Sequence, residues 1–70
     1  MKKQMEALIT ELVEGGILLD QARDEFEKKF IATALARTKG NRTRAARMLG
    51  VHRNTLGRNI ALYKLNGAGS

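Results

Sequence analysis

Seventy residues make one small domain at most, and such a chain buries only a modest core. It contains no Cys, which excludes disulfides and Cys-based metal sites. No run of large aliphatic residues exceeds three, which argues against a membrane span or a signal peptide. One His, and no acid after Glu27, leave too few groups for acid–base or nucleophilic catalysis. We therefore predict a protein that is not an enzyme and has no metal, cofactor or small-molecule substrate.

The charge divides the chain into an acidic and a basic part. Residues 1–27 contain all seven acids and three bases, a net charge of −4, whereas residues 28–70 contain ten bases and no acid, a net charge of +10. A carboxylate-free segment of this length repels itself unless a polyanion neutralises it. The basic part lacks the broad apolar face of an interfacial helix. We therefore predict a cytoplasmic protein that binds nucleic acid and not a membrane.

The absence of Pro and the scattering of β-branched residues favour helices. The first predicted helix runs from about Lys2 to Glu14, with an apolar stripe at helical spacing. Gly15-Gly16 is expected to end it, with the left-handed residue at Gly15. The stripe is either core within the chain or an interface between chains. Its members are Met5, Leu8, Ile9, Leu12 and Val13.

A short apolar connector at residues 17–19 is expected to pack against a helix end or a partner chain. The second predicted helix then runs from Leu19 or Asp20 to Lys39, with Gly40 as its C′ glycine. Acids near its start and bases near its end suit the helix dipole. Its predicted buried side, to which the two phenylalanines are assigned as core, consists of Ala22, Phe26, Phe30, Ile31, Ala34 and Leu35.

Residues 40–60 carry the most informative pattern. They predict a third helix over about Arg42 to Leu49 and a fourth from about Arg53 to Leu62 or Tyr63. Asn41 is a suitable N-cap, and the small Ala45 and Ala46 let two helix backbones approach closely. Gly50 is expected to take a positive φ at the corner, and Val51 and Leu56 to seal the angle. This pattern indicates a helix-turn-helix, whose second helix can enter the DNA major groove.

Helical spacing places Asn54 and Arg58 opposite the inward-facing Leu56, with Thr55 and Gly57 beside them. Arg, Asn and Thr are side chains that read base edges. Gly57 suggests either a close approach of DNA or a frayed helix. His52 is expected to cap the fourth helix or to touch DNA. The predicted base contacts are His52, Arg53, Asn54, Thr55 and Arg58, and the predicted phosphate contacts are Asn41, Thr43, Arg44, Arg47, Asn59 and Lys64.

The residues from Gly40 to Ala46, the Leu49-Gly50-Val51 corner and the stretch from Arg53 to Leu56 closely resemble the Fis-type helix-turn-helix. That module occurs in the nucleoid protein Fis and at the C-terminus of bacterial sigma-54 activators of the NtrC type. The resemblance covers about residues 19–64 and is most specific over 40–60. The chain departs from the family pattern at Gly57, at Asn59 and at Tyr63-Lys64, which reduces the positive charge of the fourth helix.

The resemblance implies an all-α, homeodomain-like fold of four helices within one domain over residues 1–66. Residues 1–39 would form the dimerisation helices and residues 40–65 the helix-turn-helix. Independently of the resemblance, the small and polar residues 67–70 predict a flexible or non-native tail. The resemblance also implies a homodimer in the bacterial nucleoid that binds double-stranded DNA with sequence bias, bends it and regulates transcription. The candidate dimer residues are Met5, Leu8, Ile9, Leu12, Val13, Ile17, Leu18, Phe26 and Phe30.

Three alternatives remain open from the sequence. The protein could be a largely non-specific DNA-binding protein that structures the nucleoid, or a helical bundle that binds other proteins and is merely basic. The chain could also be a stand-alone regulator or the DNA-binding piece of a larger activator. No Gly-Lys-Ser/Thr phosphate-binding motif is present, so the ATPase domain of such an activator would lie elsewhere.

Overall fold

The computed structural model describes residues 2–65, and this part of the chain is all-α, with four helices and no strand. They are α1 (Lys2–Glu14), α2 (Leu19–Arg37), α3 (Arg42–Leu49) and α4 (Arg53–Leu62). The predicted starts of all four are confirmed, and α2 ends two residues earlier than expected. The tail predicted at 67–70 lies outside the described residues. Within residues 2–65, no helix has the length and apolar character needed to cross a bilayer.

The core is small and is formed by α2, α3 and α4. Leu35 and Leu56 are its largest fully buried side chains, and the half-buried Leu49, Tyr63 and Leu65 pack against it. No residue of α1 is buried, so this helix adds nothing to the core of the single chain. The buried residues are Ile31, Ala34, Leu35, Ala45, Ala46, Leu56 and Ile60.

The prediction that Phe26 and Phe30 belong to the core is wrong for the single chain. Their rings lie 5.4 Å apart between centroids, yet Phe26 is 50% exposed and Phe30 is 54% exposed. An apolar stripe of about 100° on a helix faces its neighbours, and on α2 the buried Ile31, Ala34 and Leu35 occupy it. The phenylalanines lie beside that stripe. Met48 of α3 is likewise on the surface, since it is 59% exposed.

All four helices end in the same hydrogen-bonding pattern, which is the Schellman motif. The backbone N–H two residues past the cap donates to the carbonyl five residues earlier, as in Gly40 to Leu35 (2.8 Å) and Leu65 to Ile60 (2.9 Å). The left-handed residue is Gly16 after α1, not Gly15 as predicted. After α2 it is Lys39 at C′, with Gly40 also left-handed one residue later, so the C′ assignment of Gly40 is wrong.

The start of α2 has no side-chain cap of the usual kind, because Leu18 has no side-chain acceptor. Instead, the backbone N–H of Leu18 donates to Oε1 of Gln21 (3.2 Å), which is the reverse half of a capping box. Between α2 and α3, the Oγ1 of Thr38 lies 3.1 to 3.2 Å from the carbonyl oxygens of Ala34, Leu35 and Asn41. This hydroxyl thus joins the end of α2 to the start of α3.

Candidate nucleic-acid interface

The turn between α3 and α4 sets the angle between the two helices of the candidate interface. Gly50 has a φ of +73°, as predicted, and a Cβ built there meets nothing within 4 Å. The backbone N–H of Gly50 donates to the carbonyl oxygen of Arg47 (3.2 Å), and that of Val51 donates to the carbonyl oxygen of Ala46 (3.0 Å). Leu56 is fully buried in the angle, whereas Val51, which was expected to seal the angle as well, is 37% exposed.

Two polar side chains cap the helices of this unit, as the sequence predicts. The Oδ1 of Asn41 accepts a hydrogen bond from the N–H of Arg44 (3.0 Å), and the Nδ1 of His52 accepts one from the N–H of Asn54 (3.0 Å). Capping therefore uses the acceptor of each side chain and leaves a donor. The amide NH₂ of Asn41 and, in the capping tautomer, the Nε2–H of His52 remain able to donate to an external acceptor.

The predicted DNA-contacting residues all lie at least partly on the surface. Thr55, Asn59 and the adjacent Gly57 are half-buried, and the others are exposed. Exposure permits these contacts and does not by itself test them, so they stay predictions. The exposed members are Asn41, Thr43, Arg44, Arg47, His52, Arg53, Asn54, Arg58 and Lys64.

A polar cleft of about 460 Å³ joins the start of α3 to the outer face of α4. Arg42 and Thr43 line it from α3, and Arg53, Asn54 and Gly57 line it from α4. Arg42 was not among the predicted contacts. The sequence could not predict that Arg42 lines the same cleft as Arg53, because this depends on the angle between α3 and α4.

The arginines of α3 and α4 form no ion pair with an acidic side chain within residues 2–65. Within residues 2–65 the one ion pair joins Arg23 to Asp20 (3.2 Å) on α2, and both partners are solvent-exposed. Such a pair contributes at most about 1 kcal/mol. The cations of α3 and α4 therefore keep their positive potential and are available to an anionic ligand.

The end of α4 meets the acidic part of α2 at Tyr63. Partial burial, together with the nearby carboxylates of Glu27 and Asp24, raises the pKa of the Tyr63 phenol above its ordinary value of 10.0. The folded protein therefore favours the neutral phenol of Tyr63 over the phenolate.

An apolar groove of about 710 Å³ lies between α1, α2 and α3. Leu8 and Leu12 line it from α1, Phe26 and Phe30 from α2, and Met48 from α3. Two other side chains of the α1 stripe, Ile9 (50%) and Val13 (69%), are also exposed but do not line the groove. Five of the nine predicted interface candidates therefore line this groove, namely Leu8, Leu12, Ile17, Phe26 and Phe30.

Comparison with known proteins gives a consistent assignment. The family model described as "Bacterial regulatory protein, Fis family" matches residues 22–63. The DNA-binding transcriptional regulator NtrC of Escherichia coli K12 is 46% identical over 43 residues, which cover 61% of this chain and 9% of that protein. The DNA-binding protein Fis of Buchnera aphidicola (strain APS) is 39% identical over 49 residues, 70% of this chain and 50% of that protein.

The DNA-binding protein Fis of Vibrio campbellii is 40% identical over 42 residues, which cover 60% of this chain and 43% of that protein. The chain thus matches half or less of each Fis relative and a small fraction of NtrC. No solved structure matches it. The matched residues contain α3, α4 and most of α2, which are the elements that form the core and the polar cleft.

Proposed function

Because the chain belongs to the Fis family of bacterial regulatory proteins, we propose that it binds double-stranded DNA and regulates transcription. In this proposal α4 enters the major groove, and α3 crosses the sugar–phosphate backbone. The observation that carries it is the surface of α3 and α4, which presents arginines, hydroxyls and amides and not one carboxylate. A protein surface without a specific anionic partner usually mixes both signs of charge.

The two helices divide the recognition between them. Arg53, Asn54 and Arg58 lie on the exposed side of α4 and would meet base edges, where Arg pairs with guanine and Asn with adenine. Asn41 and Arg44 at the start of α3 would meet phosphates, with the capping oxygen of Asn41 holding its amide in place. Phosphate contacts fix the position of the protein, and base contacts select the sequence.

The proposal includes a homodimer, formed by a second copy of this chain over the apolar groove. Twelve large hydrophobic side chains are exposed among the described residues, and α1 buries none of its stripe. A small domain with so little core gains stability by covering such a surface. Two copies would place two α4 helices about 34 Å apart, one turn of DNA, on a pseudo-palindromic site.

Charge also favours a second copy over an unrelated partner. The acids lie on α1 and on α2 up to Glu27, and Lys28 and Lys29 follow directly on α2. An antiparallel arrangement of two copies would place the acidic segment of one copy near the basic segment of the other. We further propose that the dimer bends its site and acts in the bacterial cytoplasm, within the nucleoid.

DNA binding is tested by fluorescence anisotropy with a labelled duplex of about 30 base pairs, which spans two half-sites one turn apart. Arg53→Ala and Arg58→Ala should each weaken binding by about tenfold or more, which corresponds to losing one base or phosphate contact. Arg23→Ala is the matched control, because it removes the same charge from an exposed position on α2. Equal affinities for all three variants would contradict the proposal and favour a protein-binding bundle.

The salt dependence of the same measurement tests the proposed mode of binding. About six to eight neutralised phosphates per dimer predict a slope of log affinity against log salt of about −5 to −7. Sequence bias is measured by comparing a selected site with random duplex. A ratio below about tenfold would favour the alternative of a non-specific nucleoid protein, since specific regulators usually reach about a thousandfold.

The homodimer is tested by analytical ultracentrifugation at micromolar concentration, where the wild type should sediment at twice the 7.8 kDa mass of the chain. Phe30→Asp should shift the protein to the monomer, because it places a charge in the apolar groove. Leu62→Asp is the matched control, since Leu62 is 70% exposed and lies outside the groove. A monomeric wild type, or equal effects of the two variants, would contradict this interface.

A further inference from the structure

Gly57 lies in the middle of α4, where glycine is unfavourable. A glycine inside a helix costs about 1 kcal/mol relative to alanine. The helix geometry does not require it, because Gly57 lacks the left-handed φ found at Gly16 and Gly50. Packing does not require it either, since a Cβ built at Gly57 meets nothing within 4 Å. The folded chain therefore gives no reason for the missing side chain.

The surroundings of Gly57 indicate a ligand. It forms part of the wall of the polar cleft, together with Arg42 and Thr43 of α3 and Arg53 and Asn54 of α4. Each of these four side chains can donate a hydrogen bond, and two of them carry a full positive charge. No carboxylate lines the cleft, and neither arginine forms an ion pair within residues 2–65. Donors that converge from two helices suit an anion with several acceptor oxygens.

We propose that this cleft seats one backbone phosphate of double-stranded DNA and that Gly57 is the surface against which it lies. Resting on the proposed DNA binding, this inference assigns Gly57 to positioning. Arg42 and Thr43 would hold the phosphate from the side of α3, while the bare backbone of α4 at Gly57 lets the sugar–phosphate chain approach to van der Waals distance. A methyl group at this position would occupy that space and push the DNA strand away from these two side chains.

A phosphate, and not a base, is the occupant that the lining favours. Base edges present both donors and acceptors in the major groove, whereas phosphate oxygens only accept. The cleft also reaches the first turn of α3, the helix that crosses the DNA backbone in this kind of unit. The two occupants differ in their consequences. Loss of a phosphate contact weakens binding to every sequence alike, whereas loss of a base contact changes sequence preference.

The test compares Gly57→Ala with the wild type in thermal unfolding and in DNA binding. The variant should unfold at a higher temperature, because alanine favours the helix and nothing in the chain obstructs its methyl group. It should nevertheless bind duplex DNA about fivefold or more weakly, by a similar factor for each sequence, with a salt slope reduced by about 0.9. A variant that is more stable yet binds less well cannot owe its loss to unfolding.

Ala32→Gly is the matched control. Ala32 is exposed in the middle of α2 and lies outside the polar cleft, so the reverse exchange there should lower stability and leave DNA affinity unchanged. Wild-type binding is measured first, and a wild type that ignores DNA overturns the proposed function as well. If the wild type binds, equal affinity of Gly57→Ala overturns the role of Gly57 alone. A loss confined to some sequences overturns the phosphate as occupant.

Discussion

Replacing Gly50 by alanine isolates the energetic contribution of the corner between α3 and α4. Gly50 has a φ of +73°, and a Cβ there meets nothing within 4 Å. The substitution therefore adds no clash, and its cost arises only from the backbone conformation. A left-handed conformation costs an L-residue about 1 kcal/mol or somewhat more. For a domain of this size we expect the melting temperature to fall by about 4 to 8 °C.

Gly57→Ala provides the comparison, because the new methyl group also meets open space but the backbone there is helical. It should raise the free energy of unfolding by up to about 1 kcal/mol. The two variants should thus differ by about 2 kcal/mol although each adds the same methyl group. Both are followed by circular dichroism at one protein concentration, since dimerisation would make the melting temperature depend on concentration. If Gly50→Ala is as stable as the wild type, the left-handed corner does not control the packing of α3 against α4.

Three further outcomes follow from the packing. Leu56→Ala should lower the free energy of unfolding in urea by about 2 to 5 kcal/mol because Leu56 is fully buried. Leu62→Ala, at an exposed position, should change it by less than about 0.5 kcal/mol, so similar losses would contradict the described core. Asn41→Ala should cost about 1 kcal/mol through loss of the α3 cap, and an unchanged urea midpoint would show that the cap contributes nothing. Because burial and Glu27 raise the pKa of Tyr63, its stabilising effect is complete below pH 10.0 and declines above it. The stability of the wild type relative to Tyr63→Phe should therefore fall as the pH rises from 9 to about 11, and a constant difference would argue against this contact.

The sequence alone determined where the four helices begin and the family. The bounds of α1 and α3 agree with the periodicity and the caps, because Asn41 and Gly50 have local effects that do not depend on the rest of the fold. The match of the Fis family model to residues 22–63 confirms the family that the pattern from Gly40 to Leu56 resembles. The structure confirms capping, one of the two roles that the sequence left open for His52.

Only the tertiary structure decided which apolar side chains form the core. The apolar residues of α2 extend beyond the arc that α3 and α4 can cover, so Phe26 and Phe30 remain on the surface while Ile31 and Leu35 are buried. Periodicity identifies an apolar face but not how much of it a neighbouring helix will reach. Likewise, the crossing of α3 and α4 brings Arg42 beside Gly57, two residues fifteen positions apart that no helical spacing relates.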